Sequence, residues 1–257
     1  MVYIMGDNFY WFSLTFSTVG ENNVGNQQIG TLFPGFTSDV FLEDKMEVIR
    51  LHKDVQDALV GLVPNFCKDI ENDLRDELMG LEWDRKVLMR GRVVNKHARY
   101  NLCFANFEQE PDYKYGRGRV YNFSDLPRLN ELRKRVHEYI GSIGYDIDIS
   151  ELIAEGNFYY SRDCYIGFHG DAERKLVFGV RISSEPMPVY FGAWQNKEYI
   201  KGTMKELMIE SGNAYLMSEK ACGFDWKCYK KNMITFRHAA GLKGNLKATY
   251  PDDIDEQ

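Results

Sequence analysis

The chain has 257 residues, of which 44% are hydrophobic and 27% charged, a balance that permits a full buried core. Its net charge of −6 excludes the global positive field behind strong non-specific nucleic-acid binding, so any polyanion contact has to be local. Five cysteines without a Cys-x-x-Cys pair argue against a disulfide framework or zinc knuckle, and the lack of a leader pattern or long apolar run predicts a soluble, intracellular protein without membrane contact, in cytoplasm or nucleus.

Residues 2–19 read as one or two short strands, with Tyr3, Phe9, Phe12, Leu14, Phe16 and Val19 partly alternating. The polar stretch Gly20–Gln28 is a turn-rich loop. Thr37, Ser38 or Asp39 then caps an expected helix in which Val48, Leu51, Val55, Leu59 and Leu62 recur at three to four residues, up to Pro64. A second helix carries Ile70, Leu74, Leu78 and Leu81 on one stripe and an acidic face opposite. Arg85 to Phe104 is the most basic segment, with arginines and lysines interleaved among Val87, Leu88, Val93, Val94 and Tyr100 in a strand pair. A loop from Glu108 to Phe123 follows, aromatic and basic. Ser124 or Asp125 caps a helix with Pro127 in its first turn and a core stripe of Leu129, Leu132, Val136 and Ile140.

Beyond this helix the pattern turns to strands: Ala154–Tyr160, Tyr165–His169, Lys175–Ser183, Val189–Trp194, Lys205–Ile209, Ala214–Met217 and Met233–His238. Short strands at this spacing without helices between them indicate an antiparallel sandwich or barrel in a mainly β, α+β chain. The organisation expected is an N-terminal strand and helical segment over 1–84 that braces the core, a β domain over 85–241 and an acidic tail over 242–257.

Inside the β region, His169 and Asp171 lie two apart, so on a strand an imidazole and a carboxylate face the same side and can reach one cation. His-x-Asp by itself is common. The blocks around it add context: Asn157-Phe158-Tyr159, Tyr165-Ile166-Gly167, His169-Gly170-Asp171-Ala172-Glu173, Gly212-Asn213-Ala214-Tyr215-Leu216-Met217 and Lys231-Asn232-Met233-Ile234-Thr235-Phe236-Arg237. In this order and spacing they resemble the core of the AlkB-type dioxygenases, over about residues 85–241.

The resemblance implies a double-stranded β-helix (jelly roll) and chemistry that uses Fe(II), O2 and 2-oxoglutarate as cosubstrate. His169 and Asp171 would be catalytic metal ligands, Asn157 and Tyr159 would hydrogen-bond 2-oxoglutarate, and Arg237 with Lys231 would pair with its carboxylates. Lysine at 231 stands where the family pattern has arginine, giving charge without a bidentate fork. A second histidine is expected after Met217, but residues 218–227 contain none. Asp225 is the expected third ligand, with Glu219, His238 and Cys222 as rivals. His238, adjacent to Arg237, is expected on the opposite strand face.

Asn95, His97, Arg99 and Tyr100 occupy the place of the family's substrate lid and are expected to line the mouth. The substrate so implied is a nucleobase, in nucleic acid or a nucleotide, hydroxylated or oxidatively demethylated after stacking on Tyr100. The alternatives are a protein side chain, a small metabolite, or a metal-free β-helix that serves as a binding module.

Overall fold

The computed structural model describes residues 9–18, 40–171, 176–228 and 230–246. The loop read over Gly20–Gln28, the cap at Thr37–Asp39, the first residue of the strand read from Lys175 and the tail from Tyr250 lie outside the described residues.

In chain order the strands are β1 (Trp11–Thr18), β2 (Glu47–His52), β3 (Val55–Val63), β4 (Lys86–Met89), β5 (Arg92–Asn95), β6 (Tyr100–Ala105), β7 (Val120–Asn122), β8 (Leu152–Tyr159), β9 (Ile166–His169), β10 (Val177–Ser183), β11 (Met187–Gln195), β12 (Glu198–Tyr199), β13 (Lys205–Ile209), β14 (Ala214–Met217) and β15 (Ile234–Ala240). The helices are α1 (Glu71–Met79), α2 (Pro127–Ser142) and the single turn α3 (Glu219–Cys222). The protein is therefore mainly β, as the alternation after residue 150 predicts.

Eight strands form one sheet in the order β2-β3-β14-β10-β1-β8-β6-β7, and a smaller sheet runs β12-β11-β15-β9 with β13 on β11. Pairing is antiparallel except between β6 and β7. Alternation along the strands sorts the side chains into two faces. Phe12, Leu14 and Phe16 of β1, with Phe158, Phe178 and Val180, pack under α1 and α2 through Leu74, Leu78, Leu129, Leu132, Val136 and Ile140. On the other face Trp11, Tyr159, Val177 and Met217 meet Val189, Phe191, Phe236 and Ala240 of the small sheet. The layers are helices, large sheet, small sheet, and the site lies between the two sheets.

Two sequence expectations need correction. The helix read over Val48–Leu62 is the β2–β3 hairpin. The segment 1–84 is not a brace beside the core: β1 lies between β8 and β10, and β3 pairs with β14, so the N-terminal part of the chain supplies strands to the centre and flank of the same sheet. No helix among the described residues is long and apolar enough to cross a membrane.

Candidate functional site

Each sheet contributes one wall of a cavity of about 290 Å3, lined by polar groups at its centre. In the large sheet a single row of residues crosses four strands: Asn101 of β6 opposes Asn157 of β8, Asn157 opposes Ser13 of β1, and Ser13 opposes Arg181 of β10. A second row places Glu155 against Thr15 and Thr15 against Gly179. Gly179 in turn faces Tyr215, and a Cβ there would collide with the ring, so only glycine lets Tyr215 fold down over β10. The phenol then reaches Ser13 Oγ at 3.4 Å and its ring lies 5.8 Å from the Arg181 guanidinium carbon.

Across from this wall, β9 and β15 pair so that His169 and His238 stand directly opposite one another, their ring centroids 4.4 Å apart. Asp171 follows β9 and completes the group, with its carboxylate oxygens 3.4 Å from His169 Nε2 and 3.7 Å from His238 Nε2. Among the described residues these three form a cluster that could hold a metal ion, with ligand atoms all within 4.8 Å of one another. The His169 ring is held by its own strand. Its Nδ1 lies 2.8 Å from the Gly167 carbonyl, which fixes the proton there and leaves the Nε2 lone pair facing the carboxylate. The backbone of Asp171 is tied to α3 by donation to the Cys222 carbonyl at 2.8 Å.

Gly170, between His169 and Asp171, is required by packing. A Cβ at this position would fall 2.5 Å from both the Gly223 carbonyl and the Trp226 ring. The His-Gly-Asp spacing is thus set by the approach of α3 as well as by strand alternation.

The cavity also buries charge. Arg181 is 1% exposed, and its Nε and Nη1 have no hydrogen-bond partner. A fully buried guanidinium with unused donors costs free energy unless an anion answers it, and a carboxylate is the planar acceptor its fork fits. Nearer the mouth, Arg99 donates to Asn157 Oδ1 at 2.6 Å, and Asn101 bridges Asn157 and Glu155. Tyr159 is buried beside Trp11, and desolvation pushes its phenol above the ordinary range, so it stays neutral and able to donate.

The sequence-predicted residues divide between this cavity and elsewhere. His169, Asp171, Asn157, Tyr159 and Arg99 line it. Asp225 does not join the metal-competent group; it pairs with Lys220 of α3. Alternation along β15 sends His238 inward and Arg237 outward, where the guanidinium lies between Trp194 and Trp226 at 4.6 and 5.4 Å from the ring centroids. Lys231 is exposed on the turn before β15. Asn95 and His97 are exposed, and Tyr100 stacks on Tyr160 with centroids 4.2 Å apart, facing a separate cavity with Trp83, Arg85 and Phe158.

Arg181, Glu155, Ser13, Thr15 and Tyr215 are the polar cavity residues that sequence reading did not single out. A signal existed in β1, where Ser13, Thr15 and Ser17 alternate with Phe12, Leu14 and Phe16, the pattern of a strand with one polar face.

No protein-family profile matches the chain. It is 38% identical over 256 residues to the uncharacterized protein R156 of Acanthamoeba polyphaga mimivirus, in an alignment that covers 91% of this chain and 97% of the relative. With that identity over nearly the full length of both proteins, the chain belongs to the family of mimivirus protein R156.

Proposed function

We propose that the protein is an Fe(II)- and 2-oxoglutarate-dependent dioxygenase on a jelly-roll core, with His169, Asp171 and His238 as the metal ligands. The observation that carries this reading is one cavity holding a two-histidine, one-carboxylate group together with a buried, unanswered arginine. Two imidazoles and a carboxylate suit Fe(II) and leave coordination positions open for a keto acid and O2. When bound there, iron with 2-oxoglutarate and O2 supplies the oxidation of a substrate C–H bond, with 2-oxoglutarate leaving as succinate and CO2.

The chain's own residues have definable tasks. Arg181 holds the remote carboxylate of the keto acid, assisted by the Ser13 and Tyr215 hydroxyls beside it. This role passes to Arg181 from Arg237 and Lys231, which lie outside the cavity. Asn157 and Tyr159 offer hydrogen bonds along the cosubstrate, and the surrounding apolar side chains, Ile166, Val177, Val189 and Met217, exclude water from the reacting centre. Arg99 stands at the mouth as the contact for an incoming polar or anionic substrate. A flat substrate such as a nucleobase is supported by the neighbouring aromatic cleft, where Tyr100 and Tyr160 stack under Arg85.

Succinate release from 2-oxoglutarate under air with added Fe(II) tests the reading. Wild type is expected to turn over. Arg181→Met, which keeps the volume and removes the donors, should weaken keto-acid affinity about 100-fold, the order seen when one partner of a buried charge pair is removed. Arg237→Met should leave that affinity unchanged. No release above the metal-free background by wild type would remove the enzyme reading and leave a binding module; equal affinity in wild type and Arg181→Met would remove the anchor.

A further inference from the structure

Four polar side chains at the β6–β8 end of the cavity form one hydrogen-bonded chain: Arg99, Asn157, Asn101 and Glu155. Asn101 and Asn157 oppose one another across the two strands, and each is 8% exposed. Glu155, also buried, lies two residues before Asn157 and so on the same face of β8. Arg99, Asn157 and Glu155 line the cavity, and Asn101 links them without lining it.

The chemistry of the two ends sets the direction of every bond between them. A guanidinium has donors and no acceptor, so the Asn157 atom that Arg99 Nε meets at 2.6 Å has to be the carboxamide oxygen. At the other end a carboxylate accepts, so the Asn101 atom that meets Glu155 Oε1 at 3.1 Å has to be the NH2 nitrogen. The second hydrogen of that nitrogen goes to Asn157 Oδ1. The oxygen and NH2 ends of an amide nearly share a shape, so its partners decide which way it lies. Here both ends of the chain demand the same answer. Asn157 Oδ1 is spent on two donors from the β6 side, while Asn157 Nδ2 makes no hydrogen bond to another described residue. The NH2 is therefore the end that Asn157 presents to the cavity it lines, a group that donates and does not accept.

We propose that Arg99, Asn101 and Glu155 are positioning residues that lock the Asn157 carboxamide with its NH2 toward the cavity. The site then selects a ligand with an acceptor oxygen, keto or carboxylate, at that point and rejects one with an ammonium or other donor there. The lock belongs to the chain itself; the choice of a keto acid as the ligand rests on the dioxygenase reading.

Metal-free protein isotope-labelled at asparagine tests the lock by nuclear magnetic resonance without any ligand. The two side-chain amide signals are identified by their loss in Asn157→Ala and Asn101→Ser. The Asn101 NH2, bonded at both hydrogens, should exchange with water about tenfold more slowly than the Asn157 NH2. The consequence is read from 2-oxoglutarate affinity with Mn(II) present. Asn157→Ala removes a donor and should weaken binding about tenfold; Asn157→Asp sets an acceptor against an acceptor and should weaken it about 100-fold. Asn101→Asp should cost about tenfold, because an acceptor at 101 draws the Asn157 NH2 away from the ligand, whereas Asn101→Ser keeps a donor and should stay within about threefold of wild type. A purely structural Asn101 would make the less similar serine the worse replacement. Asn157 amide hydrogens as slow to exchange as those of Asn101 overturn the lock. Wild type that binds no 2-oxoglutarate removes the dioxygenase reading and the keto acid with it, while the exchange rates still decide the lock. Wild type that binds it, with Asn157→Asp no weaker than Asn157→Ala, overturns the selection.

Discussion

Lys96 illustrates how the polar interior constrains single residues. Its ammonium is buried with no hydrogen-bond partner, and desolvation pulls its pKa down to about 8 against the opposing fields of Asp84 and Glu155. Between that value and the ordinary one of 10.5 the unfolded chain binds more protons here than the folded chain. Stability from this group must therefore rise with pH across that window and sit at its lower level below it. Lys96→Met should raise stability at neutral pH by a few kcal/mol, since each tenfold loss of proton affinity on folding corresponds to about 1.4 kcal/mol, and should remove that rise. Urea midpoints for wild type and variant at pH 7 and pH 10.5 check this; parallel profiles would show that the amine is solvated. The same physics bears on Arg181, which cannot neutralise itself by losing a proton and so depends more strongly on an anionic partner. None of this was legible in the sequence, because burial of a given arginine or lysine is decided by partners far along the chain.

At the scale of elements, local pattern is informative where alternation is clean and misleading where two periods overlap. The strands from β8 onward follow their apolar runs closely. Val48, Leu51, Val55, Leu59 and Leu62 satisfy a helical spacing, yet Val48, Ile49, Val55, Val60 and Val63 are β-branched, and the Lys53-Asp54 turn closes a hairpin. In β15 the side chains do alternate, but with His238 rather than Arg237 facing the cavity. A shift of one residue exchanges the two faces of a strand, so an inward Arg237 implies an outward His238, and the sequence alone does not set the phase. The α3 turn shows how tightly neighbouring elements fix His169 and Asp171. Gly170→Ala should force Asp171 away from His169, because the new methyl meets the Gly223 backbone and the Trp226 ring together. Metal affinity should drop at least tenfold with a few degrees' loss of melting temperature, measured by metal titration and thermal unfolding. Unchanged affinity would mean that α3 moves aside freely.

At the scale of the molecule, the cavity depends on residues brought together from across the chain. Ser13 comes from the strand nearest the N-terminus of the described chain, Asn157 and Arg181 from the middle, and His238 from near the end of the described residues, all meeting through antiparallel pairing. The sequence held His169, Asp171, Asn157 and Tyr159 in a compact block and thus disclosed half of the site; the insertion of β1 between β8 and β10, which completes the other half, arises from non-local pairing that no local pattern announces. The proposed metal centre stands or falls with the identity of its third ligand. Anaerobic titration with Mn(II) or Fe(II) of wild type, His238→Ala and Asp225→Ala addresses it most directly. Wild type and Asp225→Ala should each bind about one ion per chain with equal affinity, while His238→Ala should lose affinity by on the order of several kcal/mol. Failure of wild type to bind either ion, or loss of binding in Asp225→Ala but not in His238→Ala, would contradict a centre built from His169, Asp171 and His238.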